Sequence, residues 1–167
     1  MQLIYIHGFN SDAQSVKGRM LQDWCAVHRP EIRVQRPDLN QPPEQVMSLL
    51  ADLIAQDPQT AVVGSSLGGF FATACVAQHG VRAVLVNPSV RPFESFMRYF
   101  QPFDPMDLVG HVTEGGWAVQ REHLEQLRGL FELVPQHPAN ILVLLKEGDE
   151  VLDHRVAAAY YAQDGAQ

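Results

Sequence analysis

The sequence predicts an α/β domain built around a mostly parallel sheet. Two observations favour this fold class: short apolar runs alternate with segments of helical periodicity, and a turn rich in glycine and serine joins one apolar run to the next helix. Runs that are apolar throughout are typical of strands covered on both faces, as in parallel sheets. With 167 residues, 46% of them hydrophobic, the chain is expected to form one domain, residues 1–167.

The predicted strands are short, and most are bounded by glycine, proline or asparagine. They cover residues 3–7, 32–35, 61–64, 83–87 and 141–145.

Helical spacing of apolar residues predicts the helices between these strands. In the first helix, a stripe of apolar residues at three- and four-residue spacing is expected to lie on the sheet. Asn40 is a candidate N-cap for the second helix. The stripe consists of Val16, Met20, Trp24 and Val27. Three further helices are predicted at residues 46–54, at residues 68–78 and near residues 119–131, the last with a more polar sequence.

The region from about 88 to 138 interrupts the alternation of strands and helices. It carries several prolines and the pair Gly115-Gly116. We expect this region to be an insertion that covers the strand ends as a cap, rather than a second domain.

Composition argues against several classes of protein. The formal charge is −7, from 12 basic and 19 acidic residues, and no basic run offers a surface for nucleic acid. The apolar N-terminal stretch is too short for a signal peptide or a membrane span and has no basic flank, which predicts a cytoplasmic protein.

Cys25 and Cys75 lie in apolar helical patterns and are expected to be free, buried thiols. No metal or organic cofactor is expected, because no ligand set has suitable spacing.

The segment Gly64-Ser65-Ser66-Leu67-Gly68 has the pattern Gly-x-Ser-x-Gly between a predicted strand and a predicted helix. In that context a sharp turn presents the central serine, and the glycines avoid collisions with neighbouring backbone. Ser66 is therefore a candidate nucleophile. A purely structural turn is the alternative, whereas a phosphate-binding loop is excluded because it requires a lysine that this segment lacks.

A second candidate segment, His7-Gly8-Phe9, follows the first strand. There, the backbone amide of Phe9 is placed to form an oxyanion hole together with that of Leu67. His7 is more easily explained as a strand-end histidine with local hydrogen bonds than as a catalytic group.

An acidic residue after a late strand is expected to orient a catalytic histidine. Asp149 is so placed, just after Gly148. Its rivals are Glu147, Glu150 and Asp153, of which Asp153 is better explained as the N-cap of the last helix.

The segments "YIHGFNS", "VVGSSLGG", "VNPSVRPFE" and "GDEVLDHR", in this order, resemble the YqiA-type esterases, small α/β-hydrolases of the bacterial cytoplasm. The resemblance runs from Leu3 to about Ala162. It implies a three-layer α/β-hydrolase fold with Ser66 as nucleophile, Asp149 as acid, and Phe9 and Leu67 as oxyanion donors. Candidate substrate-binding residues around the pocket are His7, Gly8, Asn87 and Arg91. For Arg91, a salt bridge with Glu94 is the alternative, and the sequence favours it over binding an acyl carboxylate or phosphate.

The family's histidine follows one more strand, in a turn of the type Gly-Gly-x-His, and a final helix comes after it. This sequence contains neither before Gln167, and His154 is poorly placed to contact both Asp149 and Ser66. We therefore expect the catalytic histidine, strand and helix to lie beyond residue 167. The sheet edge exposed without them is a place where a second copy can pair.

These features predict a serine hydrolase that cleaves small carboxylic esters, or acyl thioesters, through an acyl-enzyme on Ser66. The alternatives are a non-catalytic binding or scaffolding protein on a hydrolase fold, and an acyltransferase that uses the same serine.

Overall fold

A five-stranded parallel sheet forms the centre of the computed structural model, which describes residues 1–100, 108–133, 138–147 and 153–163. The strand order is β2-β1-β3-β4-β7. A separate antiparallel pair, β5 and β6, was not predicted from the sequence. The strand bounds are β1 Gln2–Ile6, β2 Arg33–Gln35, β3 Thr60–Ser65, β4 Arg82–Val86, β5 Val109–Val112, β6 Ala118–Gln120 and β7 Ile141–Leu144.

Helices connect the strands of the central sheet, as the parallel arrangement requires. Short 3-10 turns follow the fourth helix and precede β7. The helix bounds are α1 Val16–His28, α2 Pro43–Ile54, α3 Leu67–His79, α4 Pro92–Phe96, α5 Arg121–Phe131 and α6 His154–Gln163.

One face of the sheet forms the main core. Ile4, Val62 and Leu85 share this face and are fully buried. Helix α3 packs against β3 and β4, and its residues from Leu67 to Val76 are buried, so this helix is apolar on all sides. Helix α6 joins α3 through a hydrogen bond of 2.8 Å between Thr73 and Tyr161.

The opposite face is covered by α1 on one side only. A methyl group added at Gly18 of α1 would lie 2.8 Å from the Tyr5 ring, so α1 lies close to β1. On β7, however, Leu142 and Leu144 are 43% and 49% exposed, and no helix of the described residues covers them. Helix α1 therefore supplies the third layer of the predicted three-layer fold, and it covers only the half of the sheet around β1.

The prediction that the apolar stripe of α1 lies on the sheet is wrong. Its residues are 54–75% exposed, whereas Gly18 and Cys25 form the buried side of the helix. Small residues allow α1 to approach Tyr5 closely, and the larger apolar side chains consequently face away from the sheet. The exposed residues are Val16, Met20, Trp24 and Val27.

Asn40 is not the N-cap of α2, contrary to expectation. The helix begins at Pro43 after Pro42, which makes no side-chain capping bond. Proline has a φ suited to the first turn of a helix and no amide that needs a cap there, so the helix starts without one.

Both cysteines are free and buried. Burial raises the pKa of the Cys75 thiol to about 12. Among the helices of the described ranges, none combines the length and apolar character needed to cross a bilayer.

Candidate active site

The bend between β3 and α3 holds Ser66 in an unusual backbone conformation. Its φ is 55° and its ψ is −120°, a region that residues other than glycine rarely adopt. Three hydrogen bonds fix the bend: Ser66 N donates to Val86 O at 3.1 Å, and Ser66 O accepts from Gly69 N at 2.9 Å and from Ser89 N at 3.0 Å. Such a conformation costs about 1–3 kcal/mol and persists only where the surroundings enforce it.

The two glycines that flank Ser66 in the motif are required by backbone packing. A Cβ at Gly64 would lie 2.2 Å from the carbonyl oxygen of Gly68. A Cβ at Gly68 would lie 2.0 Å from the carbonyl oxygen of Ile6 at the end of β1. The bend therefore packs directly against β1, as the sequence pattern predicts.

The loop after β1 lies beside the Ser66 side chain. A Cβ at Gly8 would be 3.2 Å from Ser66 Cβ and 3.7 Å from its Oγ. Ser66 is half-buried. The structure thus brings together Gly8 and Ser66, two of the predicted site residues.

Phe9 and Leu67, the predicted oxyanion donors, line the same small cavity, together with Phe71 and Trp117. Leu67 is the first residue of α3, where an amide has no carbonyl one turn earlier in the helix to bond. The helix N-terminus also carries a partial positive charge. The amide of Leu67 therefore suits a developing negative charge on an oxygen near Ser66.

The Phe9 ring packs against the 88–138 segment, a contact that the sequence did not reveal. Four aromatic rings lie around it, and three of the four follow α4 in the chain. Because Phe9 follows Gly8 directly, these rings hold the loop beside Ser66. The ring centroids lie 4.6 Å away for Phe96, 5.8 Å for Tyr99, 5.5 Å for His111 and 6.0 Å for Trp117.

His7 is buried and uses both ring nitrogens in local hydrogen bonds. Its Nε2 accepts from the Leu39 amide at 2.9 Å, and its Nδ1 lies 2.9 Å from the Gly8 carbonyl oxygen. Since Nε2 is an acceptor, Nδ1 carries the proton of a neutral ring. His7 therefore ties the loop after β1 to the loop after β2. Its assignment to substrate binding stays a prediction.

Asn40 connects three loops around the site. Its Nδ2 donates to Ser11 O and to Asp38 Oδ1, both at 2.8 Å. Its Oδ1 accepts from Thr113 Oγ1 at 2.9 Å. Thr113 lies in the turn between β5 and β6, so Asn40 fastens this hairpin to the loops after β1 and β2. The sequence offered no signal for this role, because Ser11 and Thr113 are distant from Asn40 along the chain.

Asn87 joins the ends of β4 and β7. Its φ is 42°, its amide donates to Leu144 O at 3.0 Å, and its Oδ1 accepts from Lys146 N at 2.7 Å. These bonds fix where the chain leaves β7. The predicted role of Asn87 in substrate binding is untested, whereas its structural role is evident.

Replacing Asn87 is expected to loosen the end of β7. Asn87→Gly removes the side-chain acceptor and should lower the free energy of unfolding by about 1 kcal/mol. Asn87→Ala adds the cost of a positive φ and should lower it by about 2 kcal/mol. Urea unfolding measures both. Equal effects of the two variants would show that the backbone conformation at this position is unstrained.

Arg91 and Ser89 line a cleft of about 500 Å³ that also contacts Asp153 and Tyr160 of the α6 region. Ser89, one of the residues lining this cleft, donates its amide to the carbonyl oxygen of Ser66. Arg91 Nη1 lies 3.5 Å from Glu94 Oε1, and its guanidinium lies 5.3 Å from the centre of the Phe131 ring. The salt bridge considered as the alternative role for Arg91 is therefore present.

Asp149, the predicted acid, lies outside the described residues, as does its rival Glu150. Its rival Asp153 caps α6 as expected, since its Oδ1 accepts from Arg155 N at 2.9 Å. Hydrogen bonds from Arg155 lower the pKa of the Asp153 carboxyl to about 2. Both oxygens of Asp153 bond to the Arg155 side chain, which favours a capping role over the orientation of a histidine.

His123 stabilises the junction between β6 and α5. Its Nδ1 accepts from the Trp117 indole N–H at 3.2 Å and from Gln120 N at 3.0 Å. Burial lowers the pKa of His123, against the opposing effect of Glu122 and Glu44. The neutral ring is therefore the form that the folded protein stabilises.

We expect this histidine to make the protein less stable in acid. Below the ordinary histidine pKa of about 6.5, the unfolded chain binds the proton more readily than the folded protein does. The free energy of unfolding should therefore decrease as the pH falls from about 6.5 through the folded pKa. His123→Gln cannot titrate at this position. Its free energy of unfolding, measured with urea, should therefore fall less steeply with decreasing pH, by up to the slope that one bound proton contributes. Parallel curves for the two proteins would contradict this.

Within the described residues, no three histidine, cysteine or carboxylate side chains come together as a metal site.

Comparison with known proteins adds two findings. The model of UPF0227, described as an uncharacterised protein family, matches residues 2–165 of this chain. A UPF0227 protein of Shewanella sp. (strain MR-4) is 24% identical over 162 residues, which cover 93% of this chain and 80% of that protein.

Among solved structures, Est1E from Butyrivibrio proteoclasticus matches with a TM-score of 0.72 and 12% identity, covering 98% of this chain and 73% of that one. Alpha/beta hydrolase domain-containing protein 10 from mouse matches with a TM-score of 0.64 and 13% identity, covering 98% and 74%. The fold is therefore that of the α/β hydrolases, as the sequence predicts.

Proposed function

The chain belongs to the UPF0227 family, the relationship expected from its likeness to the YqiA-type esterases, and we propose that it is a serine hydrolase that cleaves small carboxylic esters or acyl thioesters. The observation that carries this proposal is the backbone of Ser66, with its φ of 55° at the start of a buried helix and next to Gly8. A serine that only connected a strand to a helix would have no need of this strained conformation.

In the proposed reaction, Ser66 Oγ attacks the carbonyl carbon of the ester and gives its proton to a histidine base. The amides of Phe9 and Leu67 hold the negative charge that forms on the carbonyl oxygen. The bond to the leaving alcohol or thiol then breaks, and the histidine returns the proton to that group. Water hydrolyses the acyl-Ser66 ester by the same steps. Asp149 is proposed to orient the histidine, which follows the acid in the chain order of this fold.

Three further assignments belong to this proposal. The cleft lined by Ser89 and Arg91 accepts part of the substrate, His7, Gly8 and Asn87 are further substrate-binding residues, and the 88–138 segment acts as a cap. The reaction requires no cofactor and takes place in the cytoplasm. The outer edge of β7 is a place where a second copy can add a strand, because the described residues pair β7 with β4 alone.

A fluorophosphonate probe tests the proposal directly. It should react with the hydroxyl of Ser66, release fluoride and add its mass to the peptide that contains residues 64–68, as measured by mass spectrometry. A chain that includes the expected histidine should also hydrolyse p-nitrophenyl acetate. Failure of both reactions in a folded sample of that chain would favour a non-catalytic binding protein, whereas ester synthesis in the presence of an added alcohol would favour an acyltransferase.

A further inference from the structure

The outer face of α1, formed by Val16, Met20, Trp24 and Val27, is an apolar surface that no other described element covers. The four side chains are 64%, 65%, 54% and 75% exposed, in that order. Trp24 stacks on His28 of the same helix at 4.7 Å, so this contact leaves the face open. Scattered apolar residues on a surface are common, but a continuous stripe along one helix face indicates an interaction surface.

Two residues of opposite charge border this face. Arg19 and Asp23 lie one helical turn apart on the same flank of the stripe. Both are exposed, and neither forms a salt bridge with another residue in the described part of the chain. The flank thus presents one positive and one negative group towards whatever covers the stripe.

We propose that the outer face of α1 binds the same face of a second copy of this chain, with the two helices antiparallel. A two-fold axis near the middle of α1 places Val16 against the partner's Val27 and Met20 beside the partner's Trp24. The same axis brings Arg19 next to the partner's Asp23, and by symmetry Asp23 next to the partner's Arg19. An isologous contact needs a surface that is complementary to itself, and the placement of Arg19 and Asp23 meets that condition in charge.

The order of the charges specifies the antiparallel arrangement. In a parallel pair, the flank that carries Arg19 and Asp23 would face the opposite flank of the partner helix, so these charges would not meet their own copies. Only the antiparallel arrangement brings the same flank of both copies together, and opposite charges at the flanks of a helix pair favour the orientation that pairs them.

The size of the surface predicts a weak dimer. A stable interface buries about 800 Å² on each partner, and one face of a helix of 13 residues offers less. The dissociation constant is therefore expected in the micromolar range or above. Neither Ser66 nor its neighbouring loops contribute to this face, so the inference is independent of the proposed reaction.

Sedimentation equilibrium from about 1 to 300 µM measures the association over the range expected of a weak dimer. The wild-type chain should dimerise, and Trp24→Glu should remain a monomer. Arg19→Asp and Asp23→Arg each place like charges across the contact and should weaken the dimer at least about tenfold. The double swap of both residues should restore the wild-type affinity to within about threefold, because it re-creates the opposite pairs.

Two further variants complete the test. Leu142→Lys alters the open edge of the sheet and should leave the dimer unchanged, and fluorophosphonate labelling of Ser66 should be equal in wild type and Trp24→Glu. A monomeric wild type at the highest concentration, or a double swap no tighter than the single variants, would overturn the inference. It would also fail if Leu142→Lys abolished the dimer and Trp24→Glu did not, or if a monomeric chain bound phospholipid vesicles through Trp24.

Discussion

In a chain that includes the expected histidine, Ser66→Ala should lower kcat/KM for p-nitrophenyl acetate by about 10⁶-fold, because the hydroxyl that attacks the ester is removed. The residual rate would come from the oxyanion amides of Phe9 and Leu67 alone. Steady-state hydrolysis measures the loss, and circular dichroism checks that the variant is folded. The fluorophosphonate probe should no longer label the protein.

Ser65→Ala is the matched control, since Ser65 is the neighbouring serine but lies in β3 and is buried. This variant should keep most of its activity. Ser66→Gly adds a second comparison: it should be as inactive as Ser66→Ala, yet more stable than wild type by about 1–3 kcal/mol, because glycine adopts the φ of 55° without strain. Full activity in Ser66→Ala would contradict the proposed mechanism.

Gly68→Ala is expected to destabilise the whole domain. The new methyl carbon would lie 2.0 Å from the carbonyl oxygen of Ile6, which is backbone at the end of β1 and cannot rotate away. Strand β1 or helix α3 would have to shift, and both belong to the main core. We expect a loss of at least about 3 kcal/mol in the free energy of unfolding, the upper end of the usual range for overpacking.

Gly129→Ala is the control for this substitution. Gly129 lies in the exposed part of α5, and a Cβ there would meet no atom within 4 Å. Alanine should stabilise that helix by up to about 1 kcal/mol, because it has the higher helix propensity. Urea unfolding of the two variants should therefore give opposite signs. A Gly68→Ala protein of wild-type stability would mean that the bend does not pack on β1 in this way.

The central sheet could be predicted from the sequence because its strands are local and nearly all apolar. All five predicted strands are present, and four of the helices lie close to their predicted positions. The bend at Ser66 was equally predictable, since the spacing of Gly64 and Gly68 reflects contacts within one short segment and with the adjacent strand. The assignment of Asp149 stays a prediction.

The predictions from sequence failed where the packing depends on which of its two faces a helix buries. The stripe of α1 has the periodicity of a buried face, yet the small residues Gly18 and Cys25 are the ones that pack on the sheet. Periodicity reports that side chains share a face but not what that face contacts. The aromatic residues around Phe9 were missed for a related reason, because Trp117 and Phe9 are more than a hundred positions apart in the chain.

Strands β4 and β7 are neighbours in the sheet, with Val84 opposite Leu142, although more than fifty residues separate them in the chain. The chain thus leaves the sheet and returns to it at adjacent points, and the entropy lost in closing so long a loop grows only with the logarithm of its length. The contribution of loop closure to the folding free energy therefore changes little when residues are added to or removed from this segment. Residues can therefore be added to or removed from the segment above the bend at Ser66 at a small entropic cost, provided that its buried side chains are kept.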